Sequence, residues 1–441
     1  VLALDVGSSS VRAQRFGDDG EPYDELMQER YSGDDPDEMV ELVRAVVAGR
    51  DMEVEGAGTS CFAHSLVGLD EAGRPTTPVL GWRDTRSGDT AEWLRQQVAD
   101  AAAVHARTGA PIHPSFWPAK LAWLAEAQPE VFRASARFVS FSDYLLTALL
   151  GIEPVTSLSI ASGTGLLDLA TGTWDPELLE ILGIGEEHLP PISDEPQGVW
   201  HPALIDGACS NLGAGCTGRH RAALMVGTSG ALRLLYETEQ PQPKPGLFLY
   251  RFDKRRVLEG GALSDGGNLY AWLRKTLAGA EGSLLERSPD EHGLTVLPFL
   301  GGERSTGWNA DATGAISGLT FDTRARDIRQ AALEAVAFRF AAIADLLPEL
   351  EEVVATGGAL LADPEWIQLM ADALARPVTA SAVKEASLRG SAVAVRERLG
   401  YEAVSAPLGN VFHPRESRAE AYRSARERHQ RLYEELRGEN G

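Results

Sequence analysis

Cysteine is scarce in this chain: Cys61, Cys209 and Cys216 are the only three in 441 residues. None falls in a Cys-x-x-Cys unit, so neither a zinc site nor a disulfide framework is expected. Free, mostly buried thiols in a reducing compartment are the simplest account. Long apolar runs are lacking too. The run Ala222-Ala223-Leu224-Met225-Val226 is far short of the roughly 20 residues that span a bilayer, so no membrane passage is expected. No basic segment followed by an apolar stretch opens the chain, and a secretory signal is not expected in it. Positive charge is in deficit, with 41 Lys and Arg against 64 Asp and Glu, a formal charge of −23. Such a surface repels phosphate backbones, so nucleic acid is not an expected partner. The basic clusters at 219–221 and 251–256 are short and read as solvated turns beside strands. No Gly-x-x-x-x-Gly-Lys-Ser/Thr occurs, which excludes a P-loop mechanism.

What the chain has is a two-part plan. Its length exceeds one compact core and suggests two domains of roughly 200 residues, placed at 1–218 and 219–441. Val1-Leu2-Ala3-Leu4 reads as a buried strand ending in Asp5-Val6-Gly7 and three serines, and 11–16 alternates as a second strand. The plan recurs about 220 residues later: a strand at 222–226, the turn Gly227-Thr228-Ser229-Gly230, and a strand at 231–236. That echo suggests two related half-molecules. Helical spacing marks 37–47, 89–101, 118–127, 326–347, 366–375 and 387–399, while 151–196 is rich in turn signals. Strands alternating with helices predict an α/β class.

A strand that ends in Asp and runs into Gly and hydroxyls suits phosphate chemistry. Small residues let backbone N–H groups approach phosphate oxygens, and the carboxylate can hold a hydrated Mg²⁺ nearby. Arg12, just past the turn, adds positive charge for a transferring phosphoryl group. Read alone, 5–10 is better explained as a hairpin turn whose Ser and Gly serve geometry. The second turn at 227–230 shifts the balance, because two such turns can grip one polyphosphate. Gly213, Gly215 and Gly218 form a Gly-x-Gly-x-x-Gly, but a strand rather than a helix follows it, so a dinucleotide site is not expected.

Six stretches in order carry a family resemblance. They are Ala3-Leu4-Asp5-Val6-Gly7-Ser8-Ser9-Ser10-Val11-Arg12, Gly81-Trp82-Arg83-Asp84-Thr85-Arg86, Ile205-Asp206-Gly207-Ala208 with Asn211-Leu212-Gly213, Gly227-Thr228-Ser229-Gly230, Leu297-Pro298-Phe299-Leu300-Gly301-Gly302-Glu303-Arg304-Ser305 with Trp308, and Thr356-Gly357-Gly358-Ala359. Together, over 2–400, they resemble the FGGY carbohydrate kinases. The resemblance implies the two-domain α/β fold of the actin, hexokinase and Hsp70 ATPase superfamily, which is ribonuclease H-like, with a cleft between the domains. The N-terminal domain would carry the acceptor and the first phosphate loop, and the C-terminal domain the nucleotide. The implied activity is ATP-dependent phosphorylation of a sugar or sugar acid, with ATP and Mg²⁺ as cofactors. A cytoplasmic location and, by family habit, a homodimer go with it.

Roles carried over by the resemblance attach to individual residues. Asp206 matches the catalytic base that meets the acceptor hydroxyl; its plainer role is to cap a helix expected near Gly207. Asp5 matches the residue that organises Mg²⁺ through water. Ser9 and Arg12, with Ser8 and Ser10 beside them, would face the γ-phosphate, and Gly227 and Thr228 the β- and γ-phosphates. Gly357, Gly358 and Ala359 correspond to the turn against which adenosine and the α-phosphate pack. Ala362 stands where several relatives use Asn to touch adenine, which puts base recognition in doubt. His64 aligns with a sugar-contacting His of xylulose-kinase relatives, and Trp82, Arg83 and Asp84 lie in a family substrate region. A gluconate carboxylate calls for a cation, for which Arg83 and Lys120 are the candidates. Lys120 reads equally well as a solvated helix residue.

Two further segments are similar to the gluconate-kinase branch: Ser60-Cys61-Phe62-Ala63-His64-Ser65-Leu66 with Asp70, and 156–166 with Trp174-Asp175. Gluconate is therefore the first expected acceptor, and a pentulose such as xylulose, or a polyol, the second. Departures from the family pattern leave the sugar open. Three serines replace the usual threonines, Arg12 replaces a lysine, and Cys61-Phe62-Ala63 stands where Met or Gln often contributes contacts. Two other functions compete. A non-catalytic regulator that kept the fold has no need of Asp206, and an Hsp70- or actin-like ATPase has none of the Trp82-Arg83-Asp84 stretch.

Overall fold

In the computed structural model, which describes residues 1–49 and 53–438, the opening apolar run is a central strand. Leu2, Ala3, Leu4 and Val6 of β1 (Leu2–Gly7) are all buried, as a strand covered on both faces requires. It pairs antiparallel with β2 (Ser10–Arg15), closing on Gly7 opposite Ser10. Beyond β2 lies β3 (Met27–Arg30), an exposed edge strand. On its other side β1 pairs parallel with β4 (Ala57–Cys61), which pairs parallel with the short strand Leu204–Ile205.

The chain forms two compact units. The first comprises Val1–Gly215, Leu235–Glu259 and Glu385–Ala406; the second comprises Cys216–Leu234, Gly260–Lys384 and Pro407–Gly441. Two segments from beyond residue 218 thus belong to the first unit. In the second unit the strands run in the order Arg256–Leu263, Gly230–Glu237, Gly218–Val226, Glu352–Thr356, Val378–Ser381 and Leu408–Phe412, the first two entering through residues 260–263 and 230–234. The three strands from Gly218–Val226 to Val378–Ser381 are parallel. Numbered by chain position, the first five strands stand as third, second, first, fourth, fifth, which is the order of the first unit's sheet. The expected echo is a duplicated topology.

Most expected helices form within two residues of their predicted ends, as Pro36–Val47, Trp117–Ala127, Ala325–Asp345, Pro364–Leu374 and Ala386–Arg398. The exception is 89–101. It is two helices, Gly88–Gln97 and Ala101–Thr108, because Val98 turns extended and the Asp100 carboxylate caps a new start by accepting the Ala102 N–H at 2.8 Å. Arg251 also departs from expectation. It is buried rather than solvated, and its guanidinium donates to the Leu169 carbonyl at 3.0 and 2.6 Å. All three cysteines are buried and none forms a disulfide. Among the described residues no helix is long and apolar enough to cross a membrane.

Glycines 213, 215 and 218 serve packing or backbone conformation. A Cβ on Gly213 would stand 1.9 Å from the Ala386 carbonyl oxygen, and one on Gly390 would stand 1.8 Å from that of Cys209. The helices Asp206–Gly213 and Ala386–Arg398 therefore cross with their backbones in contact, which only glycine permits. Gly215 and Gly218 adopt φ of 71° and 102°. A helix precedes this triplet and a strand follows it, the reverse of a dinucleotide fold.

Candidate active site

The candidate site residues of the first unit gather at the C-terminal ends of its parallel strands, where open α/β sheets place their ligands. Asp5, near the end of β1, lies opposite Ser60 of β4. Its carboxylate accepts the Ser60 hydroxyl at 2.7 Å and the Arg12 guanidinium at 3.0 Å. Burial nonetheless wins, and the Asp5 carboxyl is raised above the usual range although Ser60 and Arg12 pull it down. Arg12 also stands 3.2 Å from Glu385, a residue for which the sequence offered no signal. At the hairpin tip Ser8 and Ser9 are exposed, while Ser10 is buried in β2. Tyr31, likewise unforeseen, steadies the loop by donating its hydroxyl to the Gly7 carbonyl and its N–H to that of Ser9 at 3.1 Å.

Asp206 directly follows the strand Leu204–Ile205 and is the first residue of the helix Asp206–Gly213, with Ile205 in the capping position. Its half-buried carboxylate accepts the Gly207 N–H at 2.7 Å, at the positive end of the helix. Its carbonyl accepts the Ser387 hydroxyl at 3.3 Å. Asp206 and Asp5 flank Cys61, whose thiol is pushed well up by burial first and then by the charges of Asp206 and Asp5. Two carboxylates thus converge on one sheet edge.

His64 lies three residues beyond β4 in a left-handed conformation with φ of 66°, which costs a non-glycine residue about 1 kcal/mol. Its ring is buried, edge-on to Phe116 and Tyr250 at 4.8 and 5.6 Å. Nδ1 donates to the Gly163 carbonyl at 2.5 Å, which fixes the tautomer and puts the neutral ring's acceptor on Nε2. In the neighbouring loop Arg83 is exposed, its guanidinium 4.9 Å over the half-buried Trp82 ring. Asp84 is engaged by Arg86. Burial pushes the Asp84 carboxyl up, but hydrogen bonds from the Arg86 side chain and N–H outweigh it and hold it below the usual range. Lys120 is not a solvated helix residue: it is 1% exposed, and its ammonium donates to the carbonyls of His64 and Leu80.

The second unit holds the second turn. Gly227 and Thr228 project their carbonyls onto the start of the helix Gly267–Thr276, accepting the N–H groups of Gly267 and Asn268 at 2.9 Å each. Thr228 is exposed. Gly357 backs onto the same turn at φ 86°, where a Cβ would stand 2.5 Å from the Val226 carbonyl oxygen, so glycine is required twice over. Gly358 and Ala359 open the short helix Gly358–Leu361, and Ala362 follows it, exposed. Asp265 was not anticipated. It is buried behind the turn and accepts the Gly301 N–H at 3.1 Å. Burial raises its carboxyl to about 6, against hydrogen bonds from Gly301, Leu300 and Asn268. A folded pKa above the unfolded one means that the native state binds the proton more tightly. Its penalty is absent below about pH 4, grows through pH 4–6 and is complete above pH 6. Asp265→Asn keeps an acceptor for Gly301 and is expected to stabilise the protein by about 1–3 kcal/mol at pH 7.5, with no gain at pH 4. Urea unfolding at the two pH values checks this.

Among the described residues no group of three or more His, Cys, Asp or Glu side chains could enclose a metal. Mg²⁺ carried on a polyphosphate keeps most of its waters and needs one protein carboxylate. Asp5, buried and incompletely compensated, fits that part. A cavity of about 480 Å³ opens between the helices Ala325–Asp345, Pro364–Leu374 and Glu416–Gly438, but none of the residues above lines it.

Residues 1–200 match the N-terminal domain of the FGGY family of carbohydrate kinases, and residues 222–395 match its C-terminal domain. A gluconokinase of Bacillus subtilis is 27% identical over 96% of this chain and 93% of its own. A glycerol kinase of Rhizorhabdus wittichii is 31% identical over 82% of this chain and 77% of its own. Two solved structures from Lactobacillus acidophilus, a gluconate kinase and a ligand-bound xylulose kinase, each superpose with a TM-score of 0.89 at 26% identity. Both cover 99% of this chain, and 97% and 98% of their own.

Proposed function

Because the chain belongs to the FGGY family of carbohydrate kinases, and so is an ATP-dependent phosphotransferase, we propose that its acceptor is gluconate. The observation that carries this reading is the match along nearly the whole chain to a gluconokinase, at 96% coverage. An exposed Arg83 in the segment that leads on from Leu80 supports it, since a sugar acid needs a cation at the pocket. Xylulose is the second reading, favoured by the structural likeness to a xylulose kinase.

In this reading Asp206 takes the proton of the acceptor hydroxyl as that oxygen attacks the γ-phosphorus, the bond from the γ-phosphorus to the bridging oxygen breaks, and ADP leaves with that electron pair. Its position at a helix start suits an ionised carboxylate that must be a proton acceptor at neutral pH. His64 and Trp82 orient the sugar, His64 accepting from a hydroxyl through Nε2. Ser8, Ser9, Ser10 and Arg12 meet the γ-phosphate, Gly227 and Thr228 the β- and γ-phosphates, and Gly357, Gly358 and Ala359 the adenosine side. Mg²⁺, held through water by Asp5, would neutralise charge on the polyphosphate. A cytoplasmic enzyme acting on a small metabolite completes the proposal.

The test is a panel of gluconate, xylulose, glycerol and related polyols at saturating MgATP, ranked by kcat/KM. Gluconate is expected to exceed each of the others by about 10²-fold or more, the discrimination expected of a site that pairs a cation with the substrate's carboxylate. A pentulose or polyol at the head of the ranking overturns the assignment while leaving the kinase intact.

A further inference from the structure

Lys120 is deeply buried near the acceptor residues, and its ammonium is turned inward. It sits on the helix Trp117–Ala127 at 1% exposure. Burying a charge there is costly unless it is hydrogen-bonded, and Lys120 Nζ donates to the His64 carbonyl at 2.6 Å and the Leu80 carbonyl at 3.2 Å. Those two carbonyls belong to the two segments expected to meet the acceptor. One is the turn that holds His64 in its left-handed conformation, and the other leads directly into Gly81-Trp82-Arg83. The same helix grips the first segment again three residues earlier, where the Trp117 indole donates to the Ser65 carbonyl at 2.8 Å. Residues three apart lie on one helix face, so Trp117 and Lys120 address the loop together. Leu66 and Leu80 exchange backbone hydrogen bonds of 3.1 and 2.9 Å, which aligns the two segments that Lys120 joins.

We infer that Lys120 is a positioning residue: its ammonium locks the His64 turn to the Trp82–Arg83 loop and does not itself meet the acceptor's carboxylate. The inference deepens the acceptor reading and rests on it. The carboxylate is left to the exposed Arg83.

The measurement that separates the two roles compares an acid with the matching neutral alcohol. In wild type, Lys120→Met and Lys120→Gln, the KM of gluconate and the inhibition constant of glucitol against it are determined, with the KM of ATP in parallel. A positioning role predicts that both acceptors weaken by the same factor, about tenfold or more, while the KM of ATP stays within about twofold. Glutamine, which can still donate to carbonyls, is expected to lose less than methionine. A loss confined to gluconate would make Lys120 the carboxylate contact, and no loss for either acceptor would also overturn the inference. Lys120→Gln keeps the test open should the methionine variant not fold. A wild-type enzyme that ignores gluconate fails the acceptor reading instead, and the comparison moves to the acid and alcohol that the panel identifies.

Discussion

Asp206→Asn is expected to lower kcat by about 10²–10⁴-fold while the KM of ATP changes by less than about threefold. The substitution preserves shape. An amide oxygen can still accept the Gly207 N–H, now 2.7 Å from the carboxylate, so the helix start and the contact of helices Asp206–Gly213 and Ala386–Arg398 should survive. What disappears is the basic oxygen that would receive the acceptor's proton. The loss should therefore fall on the chemical step and not on nucleotide binding, and steady-state kinetics with a separate titration of ATP binding will tell. Turnover near the wild-type level would remove Asp206 from the role of base.

The second large effect concerns stability. Arg339 and Glu303 form an ion pair with both side chains 1% exposed. Tyr433 donates its hydroxyl to Glu303 at 2.9 Å, and the Arg339 guanidinium lies over the rings of Phe299 and Tyr433 at 5.2 and 4.7 Å. Arg339→Met leaves Glu303 charged, buried and without its cation, which should destabilise the second unit by about 3–5 kcal/mol. Adding Glu303→Gln removes the orphaned charge and is expected to restore most of that loss. Urea unfolding of the single and double variants provides the check. Equal destabilisation by both would mean that packing, and not the unpaired carboxylate, sets the cost.

How far the sequence could be read depended on what each signal was made of. The two hairpin turns at 5–10 and 227–230 were legible because Gly and Ser between apolar strands have few other uses. The helix Glu416–Gly438 carries no clear signal in the sequence. Its buried face is built from Tyr422, Ala425, His429 and Tyr433 in an otherwise charged stretch, so the usual aliphatic stripe is missing. Lys120 was ambiguous for a related reason: a lysine between core-like leucines gives no sign of whether its nitrogen reaches water or carbonyls. Glu385, Tyr31 and Asp265 were invisible because each matters through a partner distant in sequence, Arg12, Gly7 and Gly301 respectively. The glycine triplet at 213–218 shows the converse. A familiar spacing turned out to serve a helix crossing and two left-handed turns.

The central claim is that phosphoryl transfer runs to a sugar-acid hydroxyl with Asp206 as the base. It is tested most directly by coupled ADP release from MgATP, with and without gluconate, in wild type and Asp206→Asn side by side. The account predicts release that depends on gluconate in wild type and falls by about 10²-fold or more in the variant. ADP release of equal rate with and without any acceptor, in both proteins, would contradict it.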